Sequence, residues 1–178
     1  MIQLKSSHRK NILNLRKVGT AFMLVLLAGL IIPSASPAKE LARRLGVGVK
    51  NNPHLDMGEL TATYYPQSDI ALVGAIGIDT QKDDSKFSLN AALRRIIFKE
   101  NNLNFYLGGR AGLINYESGG DKKSGFDISG LFGAEFFLPG LDSLGLTFEG
   151  GVGVVSTDKV RFKTIAQVPF TAGVVFYF

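Results

Sequence analysis

From Lys39 to Phe178 the apolar residues of this chain return at every second position, and clusters of Gly, Asn, Asp and Pro interrupt them at short intervals. A two-residue repeat sends alternate side chains to opposite faces, so it specifies strands and excludes helices. Strands are expected near 44–50, 59–66, 70–79, 86–98, 104–116, 125–138, 144–155 and 164–178. Eight consecutive strands fit an up-and-down antiparallel meander. The connections 51–58, 80–85, 117–124 and 156–163 read as longer and polar, and 67–69, 99–103 and 139–143 as shorter.

The repeat also sorts the chemistry. One face carries Leu45, Val47 and Val49, then Leu60 and Tyr64, Leu72 and Ile76, Leu89 and Leu93, Leu107 and Leu113, Phe126, Ile128 and Phe132, Phe148 and Val152, and finally Phe170, Val174, Phe176 and Phe178. Arg95 alone interrupts it. The other face carries Lys50, Glu59, Asp79, Arg94, Arg110, Asp127, Glu135 and Glu149, interleaved with Gly46, Gly48, Gly77, Gly108, Gly112, Gly133, Gly145, Gly151 and Gly153.

Two barrels satisfy that alternation: a soluble one, apolar inside, and a transmembrane one with the faces reversed. The glycines decide in part, because on a soluble exterior they weaken strands, whereas inside a narrow barrel they make room for Arg, Glu and Tyr side chains. Aromatics gather near strand ends, with Phe87 and Phe126 toward the longer loops and Tyr64, Phe105, Phe136, Phe176 and Phe178 toward the shorter turns, as interfacial girdles require. The chain also stops on an apolar strand, without a polar tail. The expected fold is therefore all-β: an eight-stranded antiparallel up-and-down transmembrane β-barrel over 39–178, with nothing left for a second domain. Closure removes the sheet edges, which matters because each unsatisfied backbone group in hydrocarbon costs several kcal/mol.

Residues 1–38 read differently. They hold five cations (Lys5, Arg9, Lys10, Arg16, Lys17) and no acid, then 15 uncharged residues from Val18 to Ile32, then small residues at Ser36 and Ala38. Basic, apolar and small-residue regions in that order make a secretory signal peptide, with cleavage expected after Ala38. The apolar run is short of the ~20 residues of a membrane-spanning helix. The leader also accounts for the net charge of +5, since the remaining residues hold 15 basic and 15 acidic groups. The basic balance thus gives no support to nucleic-acid binding.

At the C-terminus, Thr171, Gly173, Phe176 and Phe178 lie in a run that resembles the assembly signal of Gram-negative outer-membrane barrels. The chain from Lys39 resembles the small OmpA-barrel/OmpX-like superfamily in its pattern. That resemblance implies a place in the cell outer membrane, with lipid and lipopolysaccharide around the barrel. It also implies handling by periplasmic chaperones and the barrel assembly machinery, with termini and short turns in the periplasm. A monomer is expected.

An eight-stranded barrel is just wide enough to be filled by side chains, so the eight charges above are expected to form a lumen network. In it, Arg110 bridges Glu135 and Glu149. A packed plug implies a structural, adhesive or membrane-integrity role; the alternative is a porin-like narrow path for small solutes, and a lipid-modifying enzyme ranks third. No catalytic residue, cofactor or metal site is expected. The chain has no Cys, and His54 is its only His beyond the leader, read as solvated in the first loop. Ser85, Ser118, Ser124 and Ser156 lie in other loops. Arg95 is expected to reach headgroups near the turn at Lys99–Asn102, or to sit in a bulge at Arg94–Arg95.

Overall fold

A computed structural model describes residues 40–157, 159–165 and 171–178. The expected signal peptide, its cleavage site and Phe170 lie outside them. The described residues form β1 (Leu45–Asn51), β2 (Gly58–Gln67), β3 (Ile70–Asp79), β4 (Lys86–Glu100), β5 (Leu103–Ser118), β6 (Asp121–Phe137), β7 (Leu144–Ser156), β8 (Val160–Ile165) and β9 (Thr171–Tyr177). Each strand from β1 to β7 pairs antiparallel with the next, and β9 pairs with both β7 and β1. The ring is closed, with eight staves.

The eighth stave differs from the single strand expected at 164–178. It is divided between β8, which pairs with Gly151–Ser156 of β7, and β9, which pairs with Leu144–Glu149. Glu149 faces Thr171 while Gly151 faces Ile165, so four residues more than a regular ladder needs separate the two registers. At the other edge of the seam, β1 pairs with β9 from Gly46 to Lys50, and the Asn51 side chain accepts a bond from the Ala172 amide.

The connections also depart from expectation. Residues 117–124 are not a loop, because Glu117 pairs with Lys122 and Ser118 with Asp121. Gly119 and Gly120 alone make the turn, at φ of 62° and 88°. Positive φ at both central positions is what a tight hairpin twisted like its strands demands. The polarity that reads as a loop is instead that of a ribbon with opposite charges facing across it. The β6–β7 connection, by contrast, takes residues 138–143. We name the end holding Glu40 and Phe178 the terminal end, and the other the far end.

The faces lie as the alternation requires. Val47, Leu60, Leu93, Ile128 and Phe176 are each at least half exposed on the outside, whereas Glu59, Asp127 and Glu135 are sealed inside. Arg95 is exposed on the outer face between Ile70 and Leu107. The bulge of this strand lies not at Arg94–Arg95 but between Ile96 and Phe98, so Ile97 and Phe98 are both exposed on the outside.

The glycines have a steric cause. A Cβ on Gly133 would lie 2.7 Å from the Tyr106 ring, and one on Gly46 2.6 Å from the Tyr177 ring. On Gly112 it would overlap the side chains of Asn90 and Asp127. Each small residue leaves the space that a large inward side chain from a neighbouring strand fills. Gly133→Val should therefore cost about 1–3 kcal/mol in the urea unfolding midpoint of vesicle-inserted barrel. Gly74→Ala, whose Cβ meets nothing within 4 Å, should leave the midpoint unchanged.

Candidate functional site

Among the described residues the polar groups of the lumen fall into four clusters, two of them joined by Lys50. Nearest the terminal end, Glu135 accepts hydrogen bonds from the hydroxyls of Tyr65 at 2.7 Å and Tyr177 at 2.5 Å. Those rings pack with Phe137, Leu41, Ile96 and Val175 into an apolar floor. Above it, the Arg94 guanidinium meets Glu149 Oε1 at 2.6 Å and lies 4.7 Å from the centre of the Tyr106 ring. The Tyr106 hydroxyl donates to the same Glu149 oxygen at 3.1 Å.

Lys50 links this cluster to the next. Its Nζ stands 4.0 Å from Glu149 and 3.9 Å from Glu59. Glu59 Oε1 in turn accepts from Ser88 at 2.7 Å and from the amides of Asn52 and Asn90 at 2.5 Å each. Toward the far end, Arg110 donates through Nε and Nη2 to Asp127 Oδ1 at 3.0 and 2.8 Å.

Seven of the eight expected lumen charges are thus buried inside: Lys50, Glu59, Arg94, Arg110, Asp127, Glu135 and Glu149. Asp79 has the inward register but sits half-buried at the far rim, opposite Lys86. The bridge from Arg110 to Glu135 and Glu149 does not form. Glu135 pairs across from Asn104, six residues along β5 from Arg110, or about 20 Å at strand rise. Glu149 faces Gly133, which faces Tyr106, so it too lies four β5 residues away, about 13 Å. Axial distance leaves Glu149 to Arg94 and Glu135 to the tyrosines. It also answers the charge count, because among the described residues four buried acids meet three buried cations.

His54 is not solvated. The 52–57 connection folds into the far mouth, burying Asn52 and Leu55, and Asn52 Oδ1 accepts from the backbone amides of His54 and Leu55. The His54 side chain is 2 % exposed, with Nε2 3.5 Å from Asp127 Oδ1. Burial pushes its pKa below the ordinary value near 6.5, and Asp127 offsets only part of that. The local pattern carries no signal for the inward loop, and it gives the tyrosines a face but not a partner. Tyr65, Tyr106 and Tyr177 do fall on the charged parity of their strands, which was the available signal for them.

Of the C-terminal residues singled out, Thr171 is buried in the lumen, and Phe176 and Phe178 are exposed on the outer face. Gly173 faces Lys50 across the seam.

A closed eight-stranded antiparallel barrel with an apolar exterior and a charged, filled lumen is the fold class of the small outer-membrane barrels. The crystal structure of the N-terminal β-barrel domain of Pseudomonas aeruginosa OprF is similar to it, with a TM-score of 0.50 and 13 % identity over 77 % of this chain and 98 % of that one. No family model matches the chain, and no curated protein matches it at a significant level.

Two predictions follow from the lumen geometry. Replacing Arg94 with Met should cost about 3–5 kcal/mol, because it strands Glu149 in the interior. Adding Glu149→Gln should recover part of that loss, giving a non-zero coupling in a double-mutant cycle of urea midpoints. For His54 the depressed pKa fixes the sign. Its neutral form favours the fold, so its contribution is complete above pH 6.5 and is lost as pH falls through the lower folded value. Acidification should therefore destabilise the native protein more than His54→Gln, read as the difference between their urea midpoints across that range.

Proposed function

We propose that this protein resides in the outer membrane of a Gram-negative cell as a monomeric, non-enzymatic barrel with a structural, adhesive or membrane-integrity role. The observation that carries this reading is the pairing of an exposed apolar belt with a lumen filled from both ends. Leu41, Tyr65, Phe137 and Tyr177 occupy the terminal end, and the 52–57 loop occupies the far end. A belt so apolar suits lipid, and a plugged lumen suits a scaffold better than a channel.

In this reading the terminal end faces the periplasm, the belt contacts lipid and lipopolysaccharide, and the last strand addresses the assembly machinery after delivery by chaperones. The outward positions of Phe176 and Phe178 support that last role, since a recognised strand must present its side chains. Against catalysis, His54 has an acid beside it, but no serine hydroxyl bonds to it among the described residues.

The membrane fraction should contain a band whose gel mobility shifts on heating; a wholly soluble product without that shift overturns the reading. Deleting Phe178 should reduce the shifted band while export continues. In planar bilayers the protein should give no discrete openings. Openings altered by Arg110→Gln or Glu149→Gln would replace the plug with a pore, and His54-dependent change in lipid A acyl chains would replace it with an enzyme.

A further inference from the structure

The far mouth holds a feature that neither the plug nor the membrane belt uses. On β8, Arg161 and Lys163 face Val155 and Gly153, which share the inward parity of Glu149 on β7, while Val160 and Phe162 are exposed on the other parity. Arg161 and Lys163 line a cavity of about 320 Å³ together with Lys86, Tyr116, His54, Leu55 and Asp56. Three cations thus meet one acid in the described lining; Lys86 also has Asp84 3.9 Å away and Asp79 opposite it across the strands, which leaves Arg161 and Lys163 as the cations the cup presents. Lys163 stands close enough to Arg161 and Arg110 to feel their charge, and Asp127, already engaged by Arg110, offsets part of it.

A second observation is independent of the charge. The His54 side chain is 2 % exposed beside Asp127, yet its Nδ1 has no hydrogen-bond partner among the described residues. An unpartnered buried polar atom is costly, and this one belongs to a residue of the cavity wall.

We propose that this cup binds a phosphate group carried on a small organic body. Crowded cations repel one another unless an anion sits among them. An arginine fork and a lysine point charge together suit a phosphate with two negative charges better than a single carboxylate. The orphaned imidazole nitrogen supplies a further polar contact. Leu55 and Tyr116 give the organic body an apolar and aromatic wall. The volume lies at the small end of the range for ligand sites, which fits a glycerol or sugar phosphate. The group could arrive on a soluble compound or on a lipid headgroup, and the chemistry at the cup is the same.

The test uses protein purified from membranes and placed in phosphatidylcholine nanodiscs, titrated calorimetrically with glycerol 3-phosphate and, as the uncharged control, glycerol. Saturable binding of the phosphate alone is expected. The double variant Arg161→Gln/Lys163→Gln should weaken it at least about tenfold. Lys99→Gln, at the opposite end of the barrel, should leave it unchanged. Heat-shifted gel mobility certifies that each variant is folded. Nanodiscs containing phosphatidic acid separate the two sources: binding heat abolished there, in wild type but not in the double variant, assigns the cup to a lipid phosphomonoester. If no phosphate compound or phosphatidic acid engages the wild type, or if Lys99→Gln weakens binding as much as the double variant, the proposal falls.

Discussion

Everything in this molecule depends on closing the ring between β9 and β1. A strand buries its backbone polar groups only by pairing both edges, and a sheet of eight staves leaves two edges open unless the last returns to the first. The seam that performs this is short, running from Gly46 to Lys50 on one side and Gly173 to Tyr177 on the other. Its side chains complete what the backbone begins. Tyr177 reaches over Gly145 of β7 to Glu135, and Lys50 to Glu59 and Glu149, so closing the wall also completes the interior.

Closure creates a second problem, because it takes charged groups away from water. The solution is dense pairing rather than neutrality: Arg94 with Glu149, Arg110 with Asp127, and Lys50 between two acids. Where cations run out, tyrosine hydroxyls and asparagine amides take over. Such pairs need not raise stability over an apolar filling, but removing one partner is costly because it strands the other charge in the interior. The inward glycines belong to the same solution, since without them the tyrosine rings and the polar side chains would have no room.

Much of this was legible in the sequence for one physical reason. A two-residue repeat is a local property of the strand, and it carries the identity of each face with it. Lys50, Glu59, Arg94, Arg110, Asp127, Glu135 and Glu149 share one face on that basis, and the glycines interleaved with them mark that face as the inner one. Pairing within the lumen could not be read in the same way. Arg110 faces Asp127 rather than Glu135 because partners are set by axial height, which depends on the register of each strand with its neighbours. The 117–124 segment was misread because its polarity is shared by loops and by solvated hairpin ribbons, and only cross-strand pairing distinguishes them.

Alternation is encoded residue by residue, so the class of fold, the two faces of most strands and the need for a polar interior are local properties of the chain, whereas the bulge that turns both Ile97 and Phe98 outward is not. How the charges are matched and where the last stave is divided follow only from the closed barrel. So does the inward turn of the first loop, which buries His54 against Asp127. These outcomes depend on distances between segments far apart in the chain, and such distances are fixed only when eight registers close on one another.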